Sequence, residues 1–140
     1  QAMKSQRVDT WAASIPDRPG ALATKLQALG TADVNLELIV ARRVGDGSRK
    51  GVVFVTPIAG AKQVGAAGAA GFTRTSSLHA LRAEGPDKPG AAARVVAAVA
   101  DLGLSLRGFS AAAIGKKFIC HLAFDTEADA VKAARALKEL

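Results

Sequence analysis

The hexapeptide Pro16–Ala21, which reads PDRPGA, returns seventy residues later as Pro86–Ala91, which reads PDKPGA. The whole chain has 140 residues. The spacing therefore predicts one structural unit of about seventy residues that is present twice. Whatever the hexapeptide does in the first copy, we expect its counterpart to do in the second.

Each copy of the hexapeptide has the composition of a helix start. The second proline fixes φ near −65° and suits the first helical turn, so we expect the helices to begin near Pro19 and Pro89. The aspartate before it is a natural acceptor for backbone N–H groups of that turn. Glycine within a helix costs roughly 0.5–1 kcal/mol relative to alanine. Gly20 and Gly90 therefore indicate close access to free N–H groups that suit a carboxylate or phosphate, or else relief of crowding against a neighbouring strand.

Hydrophobic periodicity places the other elements around these two starts. In the first copy it predicts a strand over residues 7–15, a helix up to Gly30, a hairpin of residues 34–40 and 52–56, and a weak helix over 60–71. The second copy repeats this order and ends on a helix over residues 127–140. The run 72–84 contains neither glycine nor proline and has to supply the last strand of one unit and the first strand of the next. We expect one long strand there.

The predicted fold class is α+β, with two tandem ferredoxin-like (βαββαβ) units whose antiparallel sheets are covered by helices on one face. The first unit is expected to span residues 3–76 and the second residues 77–140. Subtracting the repeat length from the last residue leaves nothing that matches the closing strand of the first unit. The second unit is therefore expected to lack its closing strand, and an open edge recruits a partner chain, which predicts a homodimer.

Composition narrows the class of protein. The net charge of +7 and the pI near 10.1 suggest nucleic acid as a partner, but the basic residues are scattered, tyrosine is absent and aromatic residues make up 4% of the chain. Stacking surfaces for bases are thus nearly missing. No apolar run approaches the ~18 residues of a membrane span, and the single cysteine, Cys120, fits a reducing compartment. We expect a cytoplasmic protein with no membrane partner.

No catalytic or metal-binding set is visible in the sequence. His79 and His121 are the only histidines, and Cys120 and His121 are strand neighbours that point to opposite faces, so they cannot share a metal ion. The glycines near Gly65 lack the spacing and the Lys-Ser/Thr ending of a phosphate-binding loop. We therefore expect no enzyme activity and no cofactor.

A short strand, then Asp-Arg/Lys-Pro-Gly-Ala, then a helix, then Val34–Leu36, within a unit of about seventy residues, resembles the ACT domain. This family consists of small regulatory modules that sense amino acids. The resemblance covers nearly the whole chain as a tandem pair. It implies a non-catalytic regulatory protein that binds a small amino acid and acts on an enzyme or regulator of amino-acid metabolism. It also implies that the ligand lies where two such domains meet.

The resemblance implies ligand-binding positions in both copies. In the first copy they are Ile15, Asp17, Arg18, Gly20, Ala21, Leu22 and Asn35. In the second copy they are Gly85, Asp87, Lys88, Gly90, Ala91, Ala92 and Ser105. Backbone N–H groups at the glycines would bind the ligand carboxylate, and an aspartate would accept from its ammonium group. Ser105 is shorter than the asparagine that it replaces, so the second site is expected to be weaker or structural.

Two other functions fit the same sequence. The chain is compatible with a protein interaction module that kept the fold but lost the pocket, which predicts a stable oligomer indifferent to amino acids. A basic nucleic-acid-binding protein is the third alternative, and it predicts salt-sensitive retention on an oligonucleotide.

Overall fold

The computed structural model describes residues 3–140 and divides them into two compact units. We call Asp9–Thr75 the first unit, because it carries the first hexapeptide. The second unit combines the described residues up to Val8 with Ser76–Leu140. The elements in chain order are β1 (Lys4–Val8), β2 (Trp11–Pro16), α1 (Ala21–Thr31), β3 (Leu38–Arg43), β4 (Lys50–Thr56), α2 (Gly60–Ala69), β5 (Thr73–Arg74), β6 (His79–Pro86), α3 (Ala91–Asp101), β7 (Gly108–Ile114), β8 (Lys117–Phe124) and α4 (Glu127–Lys138).

Each unit contains a four-stranded sheet in which all neighbouring strands are antiparallel. The strand order is β3-β4-β2-β5 in the first unit and β1-β6-β8-β7 in the second. In the first sheet β2, which precedes the hexapeptide, lies next to β4, and β4 pairs with β3. In the second sheet β6, which precedes the other hexapeptide, lies next to β8, and β8 pairs with β7. The predicted α+β class with two ferredoxin-like units is confirmed.

The predicted open edge of the second unit is closed by the N-terminal segment. Residues 4–8 are part of the segment expected in the first unit, but they form β1 and pair with β6 from Lys4↔Glu84 to Val8↔Ala80. In the second sheet β1 therefore takes the position that β5 takes beside β2 in the first. The prediction that the second unit lacks its closing strand is wrong. The closing strand of the second sheet is β1, which precedes the first unit in the sequence and therefore does not lie seventy residues after β5.

The run 72–84 forms two separate strands and not one long strand. Thr73 and Arg74 pair with β2 of the first sheet, whereas His79–Pro86 pairs with β8 of the second. Residues 75–78 between them belong to neither sheet. The chain passes from the first unit to the second within this link, after Thr75.

Each unit has its own hydrophobic core between sheet and helices. In the first unit the largest buried side chains include Leu29 of α1, Val55 of β4 and Phe72. In the second they include Phe124 of β8 and Leu137 of α4. Strand β8 alternates between buried and half-buried residues along its length, as expected for a sheet with one face on a core. Complete burial of one such side chain stabilises the fold by roughly 1.5–3 kcal/mol.

Among the described residues, no helix combines the length and the hydropathy that are needed to cross a lipid bilayer.

Candidate ligand-binding site

The two hexapeptides start helices, but the helices begin later than predicted. The first helical residues are Ala21 and Ala91, and the glycine before each is the N-cap, with φ of 85° at Gly20 and 83° at Gly90. Backbone in this left-handed region is accessible to glycine at little cost and strains other residues. A Cβ at either position would meet no atom within 4 Å. The glycines are therefore required by the backbone conformation, and the alternative that they relieve crowding is wrong.

Both helices begin with unused backbone donors. The N–H of Ala21 donates to the carbonyl of Arg18 at 3.3 Å and that of Ala91 to the carbonyl of Lys88 at 3.0 Å. No side chain caps either start, and neither first turn contains an acidic residue. Within residues 3–140, nothing accepts from the next two N–H groups of each helix, those of residues 22 and 23 and of residues 92 and 93. Each helix thus presents two free donors at its positive end.

The aspartates of the hexapeptides do not cap the helices, contrary to expectation. The carboxylate of Asp17 pairs with Arg43 of β3, with Nε and Oδ2 3.1 Å apart. The backbone N–H of Asp17 donates to the carbonyl of Arg49 at 2.9 Å, and that of Asp87 to the carbonyl of Lys116 at the same distance. The loop after the first strand is therefore fixed to the hairpin of its own unit, which leaves the helix N–H groups uncovered.

A concave pocket of about 220 Å³ lies in the first unit at the N-terminus of α1. Five of the seven positions that the resemblance implies line it: Ile15, Asp17, Arg18, Ala21 and Leu22. Pro16, Ala41–Arg43 of β3 and Gly51 of β4 complete the wall. Gly20 is not part of the wall. Asn35 is exposed, lies before β3 and does not line the pocket either.

Gly51 has no side chain that could fill this pocket. It lies opposite Ile15 on one side and Arg43 on the other. A Cβ at Gly51 would be 3.0 Å from the carbonyl oxygen of Arg42 and 3.1 Å from Cγ1 of Ile15, so a side chain has no room there. Sequence reasoning missed Gly51, although a glycine within a strand, here directly before the β-branched residues of β4, is itself a signal of close approach.

The second unit has a different pocket at the corresponding place. Its volume is about 190 Å³, and Lys88 and Ala91 are the only implied residues that line it. Met3, Pro86, Arg94, Val95 and Leu140 form the rest of its wall. Gly85, Asp87, Gly90 and Ala92 do not line it, and Ser105 is an exposed loop residue before β7. No carboxylate side chain is in this wall, in contrast to Asp17 in the first unit.

The residue of the second sheet that takes the place of Gly51 is large. Phe118 pairs with Gly85 in the second sheet, as Gly51 pairs with Ile15 in the first. Phe118 is buried. In the first sheet the large residue of this pair is on the strand before the hexapeptide and the glycine is on its neighbour, whereas in the second sheet the glycine is on the strand before the hexapeptide. The two copies keep the same backbone start for the helix but present different cavities beside it.

The histidines and the cysteine lie away from the first-unit pocket. His79 contacts Glu127, with Nδ1 and Oε2 3.3 Å apart, and Cys120 is fully buried in the core of the second unit. Burial raises the pKa of the Cys120 thiol to about 11. Within residues 3–140, no three His, Cys, Asp or Glu side chains lie close enough together to hold a metal ion.

The chain is similar to known proteins in its three-dimensional structure and not in matches of its sequence. No protein-family model and no curated protein sequence matches the chain. The ligand-free regulatory subunit of aspartate kinase from Thermus thermophilus superposes with a TM-score of 0.65 at 18% identity, over 99% of this chain and 96% of that one. The chain has the fold of a tandem pair of ACT domains.

Two further structures share this tandem ACT fold. Protein BT0572 from Bacteroides thetaiotaomicron superposes with a TM-score of 0.79 at 15% identity, over 96% of this chain and 89% of that one. The regulatory subunit of aspartate kinase from Thermus flavus gives a TM-score of 0.63 at 17% identity, over 99% and 96% of the two chains. At these identities the likeness shows the fold alone.

Proposed function

We propose that this tandem ACT protein is a non-catalytic regulatory protein that binds a small amino acid in the pocket of its first unit. The observation that carries the proposal is the open pocket at the start of α1, where free helix N–H groups, arginines and one carboxylate meet. The shared fold with an aspartate kinase regulatory subunit supports the regulatory role.

The carboxylate of the ligand is proposed to bind at the start of α1. The N–H groups of residues 22 and 23 have no acceptor within the described chain, and the helix dipole favours negative charge there. Such an interaction contributes about 0.3–1 kcal/mol at an exposed helix terminus. Arg18 and Arg43 in the same wall add positive charge, and hydrogen bonds from charged donors to a carboxylate are about twice as strong as neutral ones.

The ammonium group of the ligand is proposed to bind Asp17. This is the only carboxylate among the residues that line the first pocket, and its side chain keeps 35% of its surface exposed although it pairs with Arg43. It can therefore accept from a ligand without leaving the arginine. A zwitterion whose ammonium and carboxylate groups are attached to the same carbon matches this arrangement of donors and acceptor.

The size of the pocket selects a small ligand. Its volume of about 220 Å³ is below the ~300–1,000 Å³ of sites for drug-sized molecules. Ile15, Leu22 and Ala41 supply apolar surface, and Gly51 leaves the space above the floor free. We propose a small aliphatic amino acid. The implied placement of the ligand between two domains stays a prediction.

Calorimetric titration with each of the twenty amino acids tests the proposal. We expect heat and a thermal shift with at least one aliphatic amino acid. The Asp17→Asn variant should lose most of this affinity, whereas the matched Asp87→Asn variant, at the same position of the other hexapeptide, should keep it. The corresponding 2-oxo acid, which lacks the ammonium group, should bind the wild-type protein at least about tenfold more weakly.

Two results would contradict this function. If no amino acid binds, the sensor role fails for both units. If an amino acid binds and Asp87→Asn is the variant that loses it, the site lies in the second unit and the assignment to the first is wrong.

A protein interaction role is proposed for the second unit. Buried Phe118 takes the place that Gly51 has in the first sheet, and the pocket wall of the second unit contains no carboxylate side chain. These differences favour a unit that supports contacts with other chains over a second amino-acid sensor. An enzyme or regulator of amino-acid metabolism is the proposed partner of the whole protein.

A further inference from the structure

Helix α3 of the second unit has apolar residues on its outer side as well as on the side that faces the core. Residues 95–100 read VVAAVA, six apolar residues in succession, and therefore cover every face of the helix. Val95 and Val99 point into the core and are almost fully buried. On the opposite side Ala93, Val96 and Ala97 are exposed, with 37% of the surface of Val96 accessible. A helix of this kind is normally covered on both sides.

The exposed side of α3 is flanked by two unpaired charges. Arg94 and Asp101 are both exposed, and no group within residues 3–140 forms an ion pair with either. They are seven residues apart, so they lie on the same flank of the helix, about 10 Å apart along its axis. The two opposite charges thus lie at equal distances from the midpoint between Ala97 and Ala98.

We propose that the outer face of α3, formed by Ala93, Val96, Ala97 and Ala100 and flanked by Arg94 and Asp101, packs antiparallel against the same face of a second copy of this chain. Around a two-fold axis at the midpoint of the helix, Arg94 meets Asp101 of the partner subunit, and the same pair forms a second time by symmetry. In a parallel arrangement the two-fold axis would run along the helices and place the two charged flanks on opposite sides of the interface, so neither charge would gain a partner. The charge pattern therefore selects both the occupant and its direction.

The residues between the charges suit a close approach of two helices. Three of the four apolar residues are alanines, so the axes can come to the short end of the usual 8–10 Å separation. Val96 supplies the largest apolar side chain of the face. Covering this surface removes its apolar area from water, and the two ion pairs at the rim set register and direction.

Helix α1 of the first unit provides a comparison within the same chain. The positions that match Arg94, Ala97 and Asp101 at the repeat spacing are Thr24, Gln27 and Thr31. Both threonine hydroxyls donate to carbonyls of their own segment, Thr24 to Gly20 at 3.0 Å and Thr31 to Gln27 at 2.9 Å. This side of α1 is polar and uncharged. The proposed contact is therefore a property of the second unit, and a single two-fold contact closes as a dimer.

Sedimentation equilibrium of the wild-type protein and of Ala97→Glu is the first test. We expect a reversible dimer of the wild-type chain and a dimer dissociation constant at least about tenfold higher for Ala97→Glu, because two carboxylates would be buried against each other. Gln27→Glu, at the matched exposed position of α1, should leave the dissociation constant unchanged. Circular dichroism should show unchanged helix content in both variants.

Charge reversal tests the antiparallel arrangement itself. Arg94→Asp and Asp101→Arg should each weaken the dimer, since each brings two pairs of like charges together. The double variant Arg94→Asp/Asp101→Arg should restore it to near the wild-type dissociation constant. Thr24→Asp/Thr31→Arg is the matched control in α1 and should have no effect.

Three outcomes would overturn the proposal. The first is a wild-type chain that stays monomeric at all concentrations, which would mean that something other than a second copy covers α3. The second is a dimer that is insensitive to Ala97→Glu, which would place the interface elsewhere. The third is a double charge-reversal variant that associates as weakly as the single variants, which would contradict the pairing of Arg94 with Asp101 of the partner subunit.

Discussion

The sulfur of Met3 occupies the space that a side chain at Gly85 would need. Met3 precedes β1, and Gly85 belongs to β6, which pairs with β1 in the second sheet. At the matching position of the first unit the chain has Ile15, whose own side chain lies against Gly51. The second unit thus obtains from its added strand the apolar group that the first unit carries within its own strand.

Exchange of the residue at position 85 should test this contact. We expect Gly85→Ile to reduce the free energy of unfolding by about 1–3 kcal/mol, because the new side chain competes with buried Met3 for the same space. In the Met3→Ala/Gly85→Ile double variant the isoleucine fills the vacated space. Urea unfolding should therefore show a double-variant loss at least about 1 kcal/mol smaller than the sum of the two single losses. Additive losses would mean that the two residues do not compete.

Alanine at the two N-cap glycines should destabilise the protein even though space is available. Gly20 and Gly90 have φ of 85° and 83°, and this conformation costs a residue with a Cβ about 1–2 kcal/mol. Gly65→Ala within α2, where a Cβ also meets nothing within 4 Å, should stabilise by about 0.5–1 kcal/mol instead. Thermal unfolding of the three variants checks the opposite signs. A neutral Gly20→Ala would contradict the left-handed N-cap.

The stability of the second unit should depend on pH through Glu127. The carboxylate of Glu127 accepts from Nε of Arg7 on β1 at 3.2 Å, and His79 of β6 lies beside it. The hydrogen bond from Arg7, with smaller contributions from the charges of Arg7 and His79, lowers the pKa of Glu127 from its ordinary 4.5. A carboxyl group with a lowered pKa stabilises the folded state above its ordinary value, and this contribution is lost as pH falls through the lowered one.

Wild type and Glu127→Gln should therefore differ in stability near neutral pH and converge as pH falls below about 4.5. Urea unfolding between pH 7 and pH 3 measures the difference. Glu139→Gln is a suitable control, because exposed Glu139 forms no ion pair within the described residues. A difference that stays constant across this range would show that Glu127 contributes by packing and not by charge.

The thiol of Cys120 should be unreactive in the native protein. It is fully buried on β8, and burial raises its pKa to about 11. At pH 8 only about one thiol in a thousand would then be ionised, and the thiolate is the reactive form. We expect negligible labelling by a disulfide reagent in native buffer and one thiol per chain in denaturant, since the chain has a single cysteine. Rapid native labelling would show that this core opens locally.

The repeat predicted the offset between the two helices that follow the hexapeptides. Helix α1 spans Ala21–Thr31 and helix α3 spans Ala91–Asp101, which are offset by the same seventy residues as the hexapeptides. Local interactions are enough for this result, because a left-handed glycine starts each helix and apolar residues recur at helical spacing after it. Five first-copy residues of the candidate pocket followed from the same register and the family resemblance.

The pocket floor did not follow from the repeat, because the hairpins of the two units differ in length. Strands β3 and β4 are separated by residues 44–49, whereas only residues 115 and 116 separate β7 from β8. The residue that matches Gly51 in the sheet is therefore Phe118 and not His121, which lies at the repeat spacing. Strand register depends on the turn, and an odd shift moves each side chain to the opposite face.

The sequence by itself determined the duplicated order of strand, helix, strand, strand and helix, the offset between the two helices and the polar character of the loop beside the first pocket. Only the tertiary structure decided which strand closes the second sheet and which side chains fill or leave open the two cavities. The physical reason is that backbone hydrogen bonds along a strand edge are nearly independent of sequence. Residues 4–8 join the second sheet because its edge beside β6 is free and Gly85 leaves room for Met3, and both conditions arise only after distant segments have come together.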